Sequence, residues 1–158
     1  MEIAHGTFVW RNYLSFDRDQ SRSIVKMPRG GIRDTGLLNY LLRISDLEQL
    51  DSSPLVGRFF ENFVCEEVIK GLEAVDVYNW EYHYYRTRNC AEVDLILAGD
   101  FGLLPIEIKY GIKTDTRKLA ALKRFVKDRD LPLGIVVNNA DAPELIADRI
   151  VQLPVQYL

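Results

Sequence analysis

The stretch EVDLILAGDFGLLPIEIKYG, residues 92–111, places two short apolar runs on either side of a turn rich in glycine and aspartate. Each run has the length of a strand, so the stretch predicts two antiparallel strands at 92–97 and 103–110. Charged side chains are rarely buried in strands unless they are paired, yet Asp94, Glu107 and Lys109 lie within these runs. The function of these three charges is the main question that the sequence raises.

Alternation along the strands predicts that these charges cluster. Side chains point to opposite faces of a sheet in turn, so Asp94 should share a face with Glu92 and Ile96, and Glu107 should share one with Lys109. If the two strands pair, Asp94 meets Glu107 and Lys109 on one face. The residues expected to face the other way are apolar: Val93, Leu95, Leu97, Ile106 and Ile108.

Periodicity and turn signals place further elements on either side of this hairpin. They predict helices at 35–43, 54–71 and 114–130 and strands at 78–86 and 133–139. They also predict extended pieces at 7–14 and 22–27, a chain break at MPRGG (27–31), and a short helix or turn before a last extended piece within 144–158. The order helix, three strands, helix, strand indicates an α/β or α+β domain with a mixed central sheet flanked by helices.

The helix predicted at 54–71 has the strongest periodicity. Pro54 suits its first turn and Gly71 suits a C-terminal cap. Glu61 lies at the edge of the apolar face, and Glu67 falls inside it, which is unusual for an ordinary surface acid. The full face reads Val56, Phe60, Phe63, Val64 and Glu67, and the later helix has a stripe of Leu119, Leu122, Phe125 and Val126.

Composition indicates a globular protein. The 158 residues are 47% apolar and 27% charged, with a net charge of −3, which argues against a general nucleic-acid binder. Residues 1–43 nevertheless hold seven Lys or Arg against four acids, and this basic excess permits contact with phosphate. Cys65 and Cys90 are isolated, which favours a reducing, cytoplasmic setting, and His5 and His83 have no partners at zinc-ligand spacing. No apolar run is long enough for a membrane span, so no membrane partner is expected.

Two carboxylates at close range suggest a divalent cation. Without a metal, repulsion would raise the pKa of one of them. Mg²⁺ takes oxygen ligands, commonly one or two carboxylates together with substrate phosphate, and this combination points to phosphodiester hydrolysis. A ladder of ordinary cross-strand salt bridges on an exposed sheet face is the alternative interpretation.

The spacing Asp94, twelve intervening residues, then Glu107-Ile108-Lys109 resembles the PD-(D/E)XK nuclease signature, with Val93 where that signature has proline. The resemblance implies a restriction-endonuclease-like fold in which Asp94, Glu107 and the Ile108 carbonyl hold Mg²⁺ or Mn²⁺. It also implies that Lys109 acts on the attacking water. GRFFENFV, which contains Glu61, is similar to the first-helix motif of archaeal Holliday-junction resolvases, so Glu61 would complete the site, with Glu67 as second choice.

A wider resemblance rests on DTGLLNYLL, GRFFENFVCEEVIKG, YYRTRNCAEVDLIL and LPIEIKYG, in that order. Together these look like the domain of unknown function found C-terminal to AAA-type ATPase modules in bacteria and archaea. The resemblance covers roughly residues 9–139. It implies a connector remnant or N-terminal arm at 1–34, a nuclease-like domain at 35–158, an ATPase module normally in the same chain, and possible self-association. The sequence has no G-x-x-x-x-G-K-[ST] phosphate loop, so no ATP site is expected in it.

Basic residues near the hairpin could contact DNA: Arg86, Arg88, Lys113 and Arg117. Solvated surface positions are the alternative for all four. At the level of function, the alternative to a nuclease is a non-catalytic module that binds DNA or protein on behalf of an ATPase. A third, weaker hypothesis is a structural domain in which the charges form closed salt bridges.

Overall fold

The computed structural model describes residues 6–16, 27–87 and 91–158. The strands are β1 (Trp10–Ser15), β2 (Arg29–Ile32), β3 (Trp80–Arg86), β4 (Glu92–Gly99), β5 (Gly102–Ile108), β6 (Gly134–Asn138), β7 (Glu144–Ala147) and β8 (Ile150–Pro154). Within these ranges the helices are α1 (Thr35–Leu41), α2 (Leu47–Ser52), α3 (Val56–Ala74) and α4 (Ala120–Asp128), with 3-10 turns at Thr116–Leu119 and Val155–Tyr157.

The strands form one mixed sheet in the order β2-β1-β3-β4-β5-β6-β8-β7. As predicted, β3, β4 and β5 form an antiparallel meander, and β6 lies parallel to β5. β6 lies inside the sheet next to β8, and its side chains are largely buried on both faces. This burial explains its continuous apolar run. The predicted mixed α+β architecture is therefore confirmed.

Two apolar clusters hold the helices to the sheet. Val64 and Ile69 of α3 pack with Leu95, Leu97 and Ile106 on one side. The predicted stripe of the later helix packs with Val93, Ile96 and Val136 in the second cluster. The prediction that Val93 shares a face with Leu95 is thus wrong. The pairing changes register between His83↔Ile96 and Tyr85↔Val93, where the chain advances two residues on β3 and three on β4. This β-bulge reverses which side chains of β4 point to each face of the sheet.

The predicted face of α3 is wrong by one position. Glu67 is half-exposed and pairs with Lys70, whereas Glu66 is 1% exposed. Phe63, expected in the core, is 38% exposed. The cause lies in β1, where the Arg11 Nε donates to Glu66 Oε1 at 2.7 Å and turns that acid towards the sheet.

The predicted chain break at MPRGG contains β2, an edge strand antiparallel to β1. A Cβ at Gly31 would lie 2.2 Å from Asn62 Oδ1, so glycine is needed where β2 passes α3. The Asn62 Nδ2 donates to the Ile32 carbonyl at 2.6 Å and fixes this approach. The proposed domain division at residue 34 stays a prediction, although β1 and β2 extend the same sheet as the rest of the chain.

The helix or turn expected after residue 144 is instead strand β7, which pairs antiparallel with β8. Four residues cannot establish a helical or strand period, so pairing with β8 decides the conformation. Most of the extended piece expected at 22–27 lies outside the described residues. No helix in the described ranges combines the length and hydropathy needed to cross a bilayer.

Gly71 is not the cap that the sequence predicts, because α3 continues to Ala74. A Cβ at Gly71 would meet nothing within 4 Å. Gly71→Ala should therefore stabilise the protein by about 1 kcal/mol in urea unfolding, since glycine is entropically costly within a helix. A destabilised variant would contradict the continuous helix. Gly31→Ala is the matched control and should be destabilised by about 1–3 kcal/mol.

Candidate functional site

The four predicted catalytic residues meet in one cavity of about 580 Å³. Asp94 lies near the start of β4, Glu107 lies at the end of β5 with Lys109 directly after the strand, and Glu61 lies on α3. The cavity is otherwise lined by Tyr13, Arg29, Gly30, Arg58, Asn62, Cys65, Arg86 and Glu92. The site therefore forms where the ends of two strands meet a helix.

The Asp94 carboxylate lies where β4 and β5 part. Their pairing runs from Gly99↔Gly102 to Leu95↔Ile106. Just beyond this ladder, the Ile108 N–H donates to Asp94 Oδ2 at 2.8 Å. A buried backbone donor needs a partner, so this bond fixes the carboxylate at the opening between the strands.

The Lys109 ammonium lies between the acids. Its Nζ is 2.5 Å from Glu107 Oε1 and 3.8 Å from Asp94 Oδ2, and it donates to the Ile108 carbonyl at 3.1 Å. The backbone of Lys109 is held by its N–H, which donates to the Val137 carbonyl of β6. The ammonium therefore offsets repulsion between Asp94 and Glu107 from a fixed position.

Burial shifts the protonation of these groups. Burial, and after it the Asp94 charge, raises the pKa of Glu107 to about 7. Burial is also the largest cause of the raised pKa values of Asp94 and Glu61. Burial opposes the charge on Lys109, but the Glu107 and Asp94 carboxylates outweigh it and raise the pKa of Lys109. The cavity thus concentrates acids with raised pKa values beside a lysine that stays charged.

The raised pKa of Glu107 predicts a stability that depends on pH. Folding raises this pKa from 4.5 to about 7, so the folded protein holds a proton there that the unfolded chain has released. The stability that this proton contributes is present below about pH 4.5 and is lost as the pH rises towards about 7. Glu107→Gln mimics the protonated acid. In metal-free buffer, its stability relative to the parent should increase from about pH 5 to about pH 8, by up to about 3 kcal/mol.

Urea unfolding at the two pH values measures this difference. Glu144→Gln is the control, because Glu144 is exposed on β7. A Glu107→Gln curve that stays parallel to the parent across this range would contradict the raised pKa.

Arg29 of β2 is the main site residue that sequence reasoning missed. Its Nη2 forms an ion pair with Glu61, and its Nη1 lies 3.3 Å from Glu92 Oε1. It therefore ties α3 to the start of β4. The basic excess in residues 1–43 was the available signal, but the glycines beside Arg29 made the segment look like a chain break.

The model of a protein family described as "Domain of unknown function (DUF4143)" matches residues 56–158, more than half of the chain. The chain belongs to this family. The domain of unknown function expected from the sequence is thus confirmed, and its association with an ATPase module stays a prediction. Arg29 and Tyr13 precede the matched range, so the cavity combines the DUF4143 match with the segment before it.

Two mycobacterial proteins are similar to this DUF4143 chain. They are "Uncharacterized protein Rv2008c" of Mycobacterium tuberculosis and "Uncharacterized protein Mb2031c" of Mycobacterium bovis. Each is 29% identical over 147 residues, covering 92% of this chain and 31% of the relative. The chain therefore spans about a third of the length of these relatives. No solved structure matches it.

The residues predicted to bind nucleic acid are scattered in the DUF4143 structure. Arg86 lines the cavity with its Nε 4.0 Å from Glu92, whereas Arg88 lies outside the described residues. Lys113 is exposed and Arg117 is 90% exposed and paired with Asp115, and neither lines the cavity. Glu67, the second choice for the helix acid, also lies away from the cavity. Their roles stay predictions, and Arg58 is a cavity residue that sequence reasoning missed.

The donor set of the DUF4143 cavity fits a hard divalent cation. Glu107 Oε2 is buried and has no hydrogen-bond partner among the described residues, and the Asp94 carboxylate also lines the cavity. Ile108 is not a lining residue, but its carbonyl accepts from the Lys109 ammonium beside these acids. In the same ranges, no group of three His, Cys, Asp or Glu residues is arranged around a metal position. Mg²⁺ commonly uses only one or two carboxylates and keeps several waters, so the smaller donor set is sufficient for it.

Proposed function

We propose that this DUF4143 domain binds DNA and hydrolyses phosphodiester bonds with Mg²⁺ or Mn²⁺, as a nuclease of the PD-(D/E)XK type. The observation that carries the proposal is the meeting of Asp94, Glu107 and Lys109 in one cavity. Lys109 is within ion-pair distance of both acids. An ordinary salt-bridge ladder would be expected on an exposed face, whereas Asp94 is 9% and Glu107 is 6% exposed.

The topology supports the same proposal. α3 precedes three antiparallel strands, then α4, then β6 parallel to β5. Asp94 and the Glu-x-Lys segment lie on adjacent strands, and Glu61 comes from the preceding helix, as the resemblance to these nucleases implies. A restriction-endonuclease-like fold is part of the proposal.

The proposal gives each residue of the site a role. Asp94, Glu107 and the Ile108 carbonyl would hold the metal, which lowers the pKa of bound water and neutralises charge that develops on the phosphate. Lys109 keeps its proton beside this position, where it can orient the attacking water or stabilise the developing charge. Arg29 pairs with Glu61 and holds that acid at the cavity wall.

The partners of the domain are also part of the proposal. DNA phosphates would enter the cavity, and Arg86 would contact them at its rim. An AAA-type ATPase module, normally in the same polypeptide, would bring the DNA to the site. The much greater length of the mycobacterial relatives leaves room for such a module in those proteins.

A non-catalytic interaction module is the second candidate. It is favoured by the Lys109 Nζ, which already satisfies Glu107 Oε1 and the Ile108 carbonyl. The net charge of −3 also favours it over a strong DNA binder. Such a module would bind DNA or protein without cleavage, and the charged cluster would then serve stability.

Nicking assays separate the two candidates. Supercoiled plasmid and a branched DNA are incubated with the protein in Mn²⁺, in Mg²⁺ and in EDTA. We expect metal-dependent nicking that Asp94→Ala lowers by about 100-fold or more, whereas Asp128→Ala, an exposed acid on α4, leaves it unchanged. DNA binding without nicking in either metal would favour the interaction module. The absence of both DNA binding and nicking would overturn the proposed function.

A further inference from the structure

Arg58 differs from the other cations of the cavity because its guanidinium has no partner among the residues that the structure describes. Within the described residues, the Arg58 side chain makes no hydrogen bond or ion pair, although it lines the cavity and is exposed. The other cations are engaged: Arg29 with Glu61 and Glu92, Arg86 with Glu92, and Lys109 with Glu107 and Asp94.

Each of the four acids of the cavity pairs with at least one of these three cations. Glu61 is held by Arg29, Glu92 lies between Arg29 and Arg86, and Lys109 serves Asp94 and Glu107. Arg58 is the fourth cation beside four acids, and none of them pairs with its guanidinium. A guanidinium with free N–H groups is suited to two parallel hydrogen bonds with a phosphate.

The surroundings of Arg58 leave room for a ligand. It lies in the first turn of α3, one turn before Glu61, and the N-terminus of this 19-residue helix has no side-chain cap. The positive end of the helix dipole therefore adds to the charge of Arg58. A Cβ at the neighbouring Gly57 would meet nothing within 4 Å, so this side of the helix is open.

We propose that Arg58 binds a backbone phosphate of the DNA strand that lies in this cavity, and so positions the strand over Asp94 and Glu107. This inference rests on the proposed function and assigns a substrate contact within it. The contact is electrostatic and needs no metal. It therefore predicts an effect on DNA affinity that is separate from cleavage.

The test measures DNA affinity of the full chain in EDTA. Fluorescence anisotropy with a labelled duplex and a labelled branched DNA is recorded over a series of salt concentrations. We expect Arg58→Ala to weaken binding by about tenfold at low salt and to reduce the slope of log K against log salt by about 0.9, the value for one lost phosphate contact. Arg58→Lys should keep the slope but not the full affinity, because a lysine lacks the planar fork.

Arg124→Ala is the matched control, since Arg124 is an exposed helix arginine on α4 that does not line the cavity. It should change affinity by less than about twofold, the scale expected of an exposed charge outside the binding site. If the parent binds DNA and Arg58→Ala binds with the same affinity and slope, the role of Arg58 is overturned while the proposed function stands. If the parent does not bind either DNA in EDTA, the metal-independent contact of Arg58 is overturned, and the nicking assay in Mg²⁺ and Mn²⁺ decides the proposed function.

Discussion

Replacing Glu66 with alanine should lower the free energy of unfolding by about 3–5 kcal/mol, the range for breaking a buried ion pair. Glu66 is 1% exposed and accepts from Arg11 Nε at 2.7 Å and from the Tyr13 hydroxyl at 2.9 Å. The variant would leave Arg11, which is 7% exposed, with the more distant Glu73 at 3.2 Å and the Tyr82 hydroxyl at 3.3 Å. β1 would then lose its main polar attachment to α3.

Glu67→Ala is the matched control for this prediction. Glu67 is the next residue, is half-exposed and pairs only at 3.4 Å with Lys70, so its loss should cost less than about 0.5 kcal/mol. Urea unfolding of both variants gives the comparison. Equal losses would mean that α3 does not present Glu66 to the sheet. Replacing Arg11 and Glu66 together with apolar residues should recover part of the loss, because no uncompensated charge remains buried.

Lys109→Ala should lower DNA cleavage by about 100-fold or more, the effect of removing one group that stabilises developing charge. The side chain is 36% exposed and packs no core, so the variant should fold. The Mn²⁺ affinity of the variant should equal or exceed that of the parent, because the ammonium that competes for the Glu107 and Asp94 oxygens is gone. Loss of cleavage with retained metal binding would separate this role from that of a metal ligand.

Lys70→Ala is the control, because Lys70 lies on α3 outside the cavity and should leave cleavage unchanged. Lys109→Arg tests whether the position of the ammonium matters as well as its charge, since a guanidinium keeps the charge but cannot occupy the compact ammonium position. A Lys109→Ala protein that cuts DNA at the parental rate would remove Lys109 from the mechanism.

The central part of the fold was predictable because its signals are local. The apolar runs around the AGDFG turn determine the hairpin of β4 and β5. The spacing from Asp94 to Glu107 places both acids at the end of this hairpin that lies away from the turn. Four aliphatic or aromatic residues at helical spacing likewise predict the buried stripe of α4. In each case the residues that carry the signal are close in sequence.

The missed features depend on partners far along the chain. Whether Glu66 or Glu67 is buried is decided by Arg11, 55 residues before Glu66. The strand at Arg29–Ile32 forms because Gly31 fits against Asn62, a contact that composition cannot reveal. The same long-range packing brings Arg29 to Glu61 and so completes the cavity.

The cavity also has an energetic consequence for the fold. Burial raises the pKa values of Asp94, Glu107 and Glu61, so ionising these acids costs more free energy in the folded protein than in the unfolded chain. Residues that lower stability in this way are typical of sites maintained for function. A divalent cation would relieve the cost, and the protein should therefore be stabilised by Mn²⁺.

Calorimetric titration of the metal-free protein with Mn²⁺, in the parent and in Asp94→Asn, tests the central claim most directly. Asparagine keeps the shape of Asp94 and removes its charge, and circular dichroism establishes that each sample is folded. Saturable binding in the parent that Asp94→Asn abolishes is the predicted result. A folded parent that binds no Mn²⁺ at millimolar concentration would contradict a metal site at Asp94 and Glu107.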